Sequence, residues 1–351
     1  MIEIFSSTTA ALPAPGHTEI TAAITAEPTK AEHDRIARGV TALTAIEVRP
    51  PEAVAVPRRP LRLAAWNAER LKFREPSAAL MRGLDLDIVL LTETDIGMAR
   101  SGNRHTTADL AGALDMGYAY GVEFVELGLG DDREREWHKG QRNHAGLHGN
   151  AILSRLPLYD LALIRIGPGG RWFTDRDTVK GTGAQRRLGG RMALAGRMAT
   201  DDGDFVVVSV HLESDSDPND RAQQMTRLLH AINGCYGNAR MVIGGDCNTA
   251  ALPEVDPERP EDSRAWFQRC EAYEPLFGVL QQSGFDWRTA NDPAATQRQR
   301  PDGAPRPPFR RLDWLFTRGL TPAVPRTVAA VDENGGAISD HDAIMVELAI
   351  A

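Results

Sequence analysis

The residues with chemical capacity in this 351-residue chain stand where short apolar runs stop. LAAW leads into Asn67-Ala68-Glu69, DIVLLT into Glu93, VVVSV into His211-Leu212-Glu213, and MVIGG into Asp246-Cys247-Asn248. Asp313 lies inside the run LDWLF, and Ser339-Asp340-His341-Asp342 immediately precedes the last apolar run. Carboxylates and amides without cysteine ligands suit a small hard cation, Mg²⁺ or Mn²⁺, better than zinc. A histidine beside an acid is the usual way to build a general base near neutral pH. Cation, base and amide or imidazole donors together make the apparatus for water attack on a phosphoester, since they polarise it, activate the nucleophile and stabilise the developing charge.

Taken singly, most of these residues have a plainer reading. Asn67 reads as a turn cap, Glu93 as a solvated loop acid, Asp246 with Asn248 as an Asx turn, and His211 as a satisfied core histidine. Asp313 differs. Its neighbours Leu312, Trp314, Leu315 and Phe316 point it into an interior, where an unpaired carboxylate is costly. It needs a cation, a metal or a histidine, and His341 is the obvious candidate.

Rigid strands can aim several such side chains at one point. Short apolar runs bounded by turn signals predict strands at Leu61–Trp66, Asp87–Leu91, Asn150–Ser154, Arg191–Arg197, Phe205–Val210, Met241–Ile243, Leu312–Thr317 and Ala343–Ile350. One helix is predicted from Pro218, with Asp217 as its N-cap, to Gly234. Another is predicted over Asp262–Ser283, with Trp266, Phe267, Cys270, Tyr273, Phe277 and Leu280 on its inner face. Strands outnumber helices along the chain, the pattern of a sheet-dominated α/β domain. Residues 1–60, rich in Ala, Thr, Pro and Glu, read as a separate extension. Its first thirty residues are expected to be loosely ordered, with one helix at Glu32–Ile46. The catalytic domain is expected over 61–351.

Forty basic and 48 acidic side chains give a net charge of −8, which excludes a strongly basic protein that coats nucleic acid. Apolar residues at 42% and charged residues at 25% are the mix of a soluble globular protein. Lysine occurs only at positions 30, 72, 139 and 180, so 36 of the basic residues are arginine. That bias is either the imprint of a GC-rich bacterial genome or a use of arginine's forked anion contacts. Three cysteines without paired spacing argue against a disulfide framework or zinc cluster, and Cys247 and Cys270 read as core thiols. No apolar stretch has membrane-spanning length, and the amino terminus lacks the basic cluster of a secretory signal. The expectation is a cytoplasmic location.

The motifs WNAE (66–69), DIVLLTET (87–94), HGNAILSR (148–155), GGRMAL (189–194), VHLES (210–214), RAQQ from Arg221, GGDCNT (244–249), RLDWLF (311–316) and SDHDAI (339–344) form an ordered series. The series resembles the endonuclease/exonuclease/phosphatase superfamily of deoxyribonuclease I-like, metal-dependent phosphoesterases. The resemblance covers residues 61–351. It implies an α/β fold, a four-layer α/β/β/α sandwich of two mainly antiparallel sheets. It also implies Mg²⁺- or Mn²⁺-dependent hydrolysis of a phosphoester, a phosphodiester first. Carried over residue by residue, it puts Glu93, Asn67 and Asp340 at the metal. His341 becomes the general base or the histidine that stabilises the pentavalent phosphorane, with Asp313 orienting it. Asp246 would position or activate the water, and His211 would contact a phosphate oxygen or aid the leaving group. Asn248, Asn150 and Arg191 would bind substrate. Two positions depart from the family pattern: Cys247 replaces the aromatic of GDFN, and Glu69 is one methylene longer than the usual aspartate.

Specificity is expected in the segments Gly128–Gly149, Gly167–Gly190 and Gln297–Arg311. The last, with Arg298, Arg300, Arg306, Arg310 and Arg311, reads either as the mouth of the site receiving a polyanion or as a solvated loop. Three functions are weighed: hydrolysis of a small-molecule or lipid-like phosphodiester, a DNA or RNA nuclease, and a catalytically silent binding scaffold.

Overall fold

In a computed structural model of the protein the described residues are 2–53, 56–174, 186–256 and 258–350. Strands β1 (Ile4–Phe5), β2 (Ser7–Thr9), β3 (Ala45–Arg49), β4 (Leu61–Asn67), β5 (Ile88–Ile96), β6 (Gly117–Glu126), β7 (Leu147–Ser154) and β8 (Tyr159–Arg165) come first. They are followed by β9 (Arg187–Gly189), β10 (Met192–Met198), β11 (Phe205–His211), β12 (Met241–Asp246), β13 (Asp313–Arg318), β14 (Thr321–Val328) and β15 (Ala343–Ala349). The helices are α1 (His17–Thr25), α2 (Lys30–Ala37), α3 (Arg74–Leu84), α4 (Thr106–Ala113), α5 (Asp132–Trp137), α6 (Arg171–Thr174), α7 (Pro218–Tyr236), α8 (Pro260–Phe267) and α9 (Leu276–Gln282).

Two sheets carry the architecture. One has the order β1-β8-β10-β11-β12-β13; the other runs β14-β15-β4-β5-β7-β6-β3-β2, with β9 also on β6. Pairing is antiparallel except for β2/β3, β4/β5 and β11/β12. The period-2 alternation of each strand sorts its side chains between layers. Leu63, Ala65, Ile88, Leu90, Val207, Val242 and Leu315 fill the space between the sheets. Trp66, Val89 and Leu91 face outward under Met81 of α3 and Leu110 of α4. Val206, Val208 and Ile243 face the other way, under Met225 and Leu228 of α7 and Phe277 of α9. The result is the expected four-layer α/β/β/α sandwich.

The predicted strands are all present, several extended by one to five residues into the polar positions that matter below. Three expectations need correction. The first thirty residues are not loosely ordered: β1 pairs with β8, β2 with β3, and β3 with β6, so the segment before residue 61 adds strands to both sheets. The helix expected at Glu32–Ile46 ends at Ala37, just before Gly39, and the apolar residues after it form a short 3-10 turn and β3. The helix expected over Asp262–Ser283 is α8, a 3-10 turn at Cys270–Ala272, and α9. α8 ends at Phe267, and Pro275, which has no N–H to give, keeps the turn at Cys270–Ala272 from continuing as helix into α9. Tyr273 consequently lies outside the core, 39% exposed.

Glu47 on β3 shows how the amino-terminal segment is fastened. Its buried carboxylate accepts from Leu12 N–H (2.7 Å), Tyr118 Oη (2.6 Å) and His105 Nε2 (2.9 Å). Burial alone would raise its pKa, but these partners more than offset burial and hold it below the ordinary glutamate value. A depressed carboxyl stabilises the fold above the unfolded pKa and loses that contribution as pH falls through the folded one. Glu47→Gln should therefore lower stability by about 1–3 kcal/mol at pH 7 and by clearly less near pH 3, read from urea titrations. An equal loss at both pH values would contradict this fastening role.

Candidate active site

The polar strand ends meet at one edge of the sandwich. In the register of the first sheet, His211 of β11 lies opposite Asp246 of β12, and Asp246 lies opposite Asp313 of β13. Asn67 closes β4 of the facing sheet and donates from Nδ2 to Asp246 Oδ2 at 3.0 Å, linking the two sheets. Before β15 the chain is pinned there as well. Trp66 Nε1 donates to the His341 carbonyl (2.9 Å), and Ser339 Oγ donates to the Asn67 carbonyl (2.8 Å).

Asp313 is fully buried, and its Oδ2 receives His341 Nδ1 at 2.7 Å, the partnership its apolar neighbours call for. His341 Nε2 and His211 Nε2 lie 3.8 and 3.6 Å from Asp246 Oδ2. Asn248 holds Asp246 from below, its N–H donating to Oδ1 at 2.9 Å, while its own Nδ2 donates to the Leu212 carbonyl. Cys247 between them points into the core and is fully buried, so the departure from GDFN is one of packing.

Glu93 sits in a bulge of β5, where pairing with β7 shifts register and φ is +55°. The bulge turns its carboxylate toward Arg70 Nη1 at 2.7 Å. Arg70 itself belongs to three successive left-handed residues, Glu69, Arg70 and Leu71 (φ 41°, 70° and 51°). Such a run is strained for side-chain-bearing residues, and strain of this kind collects at functional sites. Asp340 Oδ2 meets Arg300 Nη1 at 3.1 Å, and the same guanidinium reaches Glu69 Oε1 at 3.0 Å.

The surroundings separate these groups electrostatically. Burial would raise the Glu93 carboxyl, yet Arg70 and the histidines 211, 148 and 341 hold it well below the usual range. Asp340 goes the other way, to about 6, through burial and the nearby charges of Glu69 and Glu93. Burial also raises Asp246. Burial disfavours the His341 imidazolium, but Asp313 and Asp246 outweigh it and raise its pKa well above the ordinary value.

A cleft of about 160 Å³ opens beside Glu93 and His211, walled by Arg70, His148, Trp172, Arg187 and Arg191. Arg191 lines it with its guanidinium held by Glu213 and Glu123, each at 3.3 Å. Asn150 is not among the lining residues. It is fully buried on β7, donating to the Met192 carbonyl at 3.3 Å, with Oδ1 unpartnered. Nor do the arginines of 297–311 form an open mouth. Arg311 is fully buried under Asn291, Asp292 and Thr327 and packs on Trp314, 4.9 Å from the ring centre. Arg310 pairs with Glu254, Arg298 with Asp342, and Arg300 with the site acids, so these forks serve the protein itself. Arg306 alone among the five is exposed. In the segment 167–190, residues 175–185 lie outside the described residues.

Two groups were not singled out from sequence. Arg70 follows the Asn67 motif directly, and only the bulge brings it to Glu93. His148 Nδ1 pairs with Asp95 Oδ1 at 2.8 Å, a second histidine–aspartate pair whose imidazole lines the same cleft. The second had a signal, since His148 opens the HGNAILSR motif and Asp95 stands two residues after Glu93.

The profile of the Endonuclease/Exonuclease/phosphatase family matches residues 49–341, and the chain belongs to that family. Solved structures share its fold. An endonuclease/exonuclease/phosphatase from Beutenbergia cavernae DSM 12333 aligns at 20% identity over 83% of this chain and 72% of that one, with a TM-score of 0.56. A functionally unknown conserved protein from Enterococcus faecalis V583 aligns at 16% identity over 82% and 99%, with a TM-score of 0.53. An endonuclease/exonuclease/phosphatase from Bacteroides vulgatus aligns at 16% identity over 83% and 99%, with a TM-score of 0.51. None of the curated proteins compared matches the chain. Among the described residues, no helix is long and apolar enough to cross a membrane.

Gly245 is the residue that lets β12 deliver Asp246. Its φ is +142°, and an added Cβ would lie 2.0 Å from the Val210 carbonyl oxygen of the parallel neighbour. Gly245→Ala should cost about 3 kcal/mol or more and reduce any activity of the site, because the collision is with backbone. An unchanged urea midpoint would contradict this.

Proposed function

We propose that this chain hydrolyses a phosphodiester with water, in a reaction that depends on Mg²⁺ or Mn²⁺. The observation that carries the reading is the convergence of Asn67, Glu93, His211, Asp246, Asp340 and the Asp313–His341 pair on one sandwich edge. The donor chemistry fits a hard divalent cation. Asp340 is raised first by burial and then by Glu69 and Glu93, and a cation would offset both. Glu93, Asn67 and Asp340 are the residues to hold it. When bound, it supplies Lewis-acid polarisation of the phosphoryl group and lowers the pKa of water. Asp246, Asp313 and His341 also place one ligand atom each within 4.8 Å of one another. Asp313 Oδ2 and His341 Nδ1 are bonded to each other at 2.7 Å, leaving His341 Nε2 facing Asp246, an arrangement better suited to proton transfer.

Of the two roles open to His341, stabilising the phosphorane fits its environment. As an imidazolium held by Asp313, it donates from Nε2 to a phosphoryl oxygen as negative charge develops there. Asp246, raised by burial and oriented by Asn67 and Asn248, takes the proton of the attacking water. His211 stands on the other side of Asp246, where it meets a second phosphoryl oxygen or protonates the leaving alkoxide. The phosphorus–oxygen bond to that alkoxide breaks as the bond to water oxygen forms. The cleft of about 160 Å³ suits a phosphoryl group with a small substituent, which favours a small-molecule or lipid-like ester over a duplex.

Turnover of bis(p-nitrophenyl) phosphate should require Mg²⁺ or Mn²⁺, stop in EDTA, and fall about 10²–10⁴-fold in His341→Ala. If His341 acts as the imidazolium, the rate falls as pH rises through its elevated pKa. Asp313→Asn then moves that fall to lower pH, because the supporting negative charge is gone. A rate that rises through the same range assigns His341 the general-base role instead. Absence of metal-dependent hydrolysis on DNA, RNA, phosphocholine lipids and inositol phosphates as well would leave the scaffold reading.

A further inference from the structure

A second and larger cleft, about 670 Å³, lies away from the strand-end site, between the amino-terminal segment and the glycines at 167, 169, 189 and 190. The charged residues of its lining are mostly basic. Lys30 is already matched, since its Nζ grips Asp34 at 2.7 Å. Arg38, Arg165 and Arg227 also line it, and among the described residues none of them has a carboxylate within ion-pair distance. Glu3 is the acid left to answer them.

Arg165 makes the case strongest. Its guanidinium donates only to backbone carbonyls, those of Glu123 (3.3 Å), Gly190 (3.0 Å) and Leu43. Burial without a bonded counter-charge pushes its pKa down to about 10. Other interior guanidiniums in this chain are treated differently. Arg100 meets Asp95, Arg191 meets Glu123 and Glu213, and Arg221 meets Glu274. Arg318, which also bonds carbonyls, has the carbonyl end of α7 as its negative partner. Arg165 has no carboxylate in contact, Glu123 and Glu3 acting on it only from a distance, and Arg227 adds a half-buried guanidinium with a single long contact to the Ile166 carbonyl, 3.4 Å away. Positive charge is thus held at the wall of a cavity large enough for a small organic molecule, opposed only by the non-contacting charges of Glu3 and Glu123.

We propose that this cleft is a binding site, distinct from the catalytic one, for a small anion that carries phosphoryl groups, with Arg38, Arg165 and Arg227 as its cationic contacts. Forked guanidiniums match phosphoryl oxygens, and two or more of them select a multiply charged ligand over chloride. The two sites share a wall. Arg165 fixes the Gly190 carbonyl, and the next residue, Arg191, reaches into the cleft beside Glu93.

The test is calorimetric titration of the full chain, in EDTA, with inorganic pyrophosphate and separately with ADP. The two arms distinguish a bare phosphoryl anion from one that also needs an organic body. Arg38→Ala/Arg227→Ala removes two exposed or half-exposed contacts and should leave the fold intact, checked by thermal melting. Binding by the unaltered protein, weakened roughly tenfold or more in this double variant and unchanged in His341→Ala, supports the site. Equal binding in the double variant overturns it, as does loss in His341→Ala, which would place the anion at the strand ends. Failure of both probes to bind the unaltered protein at millimolar concentration overturns it too.

Discussion

A carboxylate removed from water has to be met by a cation or by hydrogen-bond donors, and this molecule removes several along a single edge. Asp95, Glu123, Glu134, Asp246 and Asp313 are all buried there. Their partners come from other elements. Arg100, in the turn after β5, joins Asp95 to Glu134 of α5; Arg191 joins Glu123 of β6 to Glu213 beyond β11; His341 reaches Asp313 from the loop before β15. Each pair is therefore a tie between separate parts of the chain. Removing one partner leaves a buried uncompensated charge, so the edge holds together as a unit.

The same arrangement sorts otherwise similar acids into different tasks. Glu93, ringed by Arg70 and three imidazoles, stays ionised, whereas Asp246 and Asp340 are pushed toward accepting a proton. His341 is pushed toward keeping one. Pulling titratable neighbours apart in this way is how a single cleft runs both ends of a proton transfer. The strained backbone at Glu69–Leu71 and at Glu93 is part of it, because ordinary strand geometry would aim these side chains elsewhere.

The arginine bias acquires a structural reading alongside the compositional one. Much of it goes into internal forks: Arg221 with Glu274 clamps α7 to the chain before α9, and Arg311 ties β13 to the segment at 291–294. Lysine, a single point of charge, lacks the planar fork that holds a carboxylate by two bonds or several carbonyls at once. Of the arginines of 297–311, Arg298, Arg300, Arg310 and Arg311 are consequently poor candidates for reading substrate.

Eight of the fifteen strands among the described residues, the helix from Pro218 and the family were legible in the sequence because each depends on local pattern: alternation, an Asp N-cap with Pro at the first turn, and short motifs in fixed order. Asp313 was legible for the same reason, since apolar neighbours on both sides force the question of its partner. What escaped was decided by contacts distant in sequence. β6 alternates tyrosine and phenylalanine with glycine and glutamate, and it is an interior strand only because β3 and β7 flank it. The strands before residue 61 become ordered by joining sheets built later in the chain. Arg70, His148 and the burial of Asn150 follow from a bulge and from the facing sheet, neither written in any single segment. The sequence determined which side chains are available and which elements carry them. Only the tertiary structure decided which charges share one low-dielectric edge, and that proximity sets both their protonation and their chemistry.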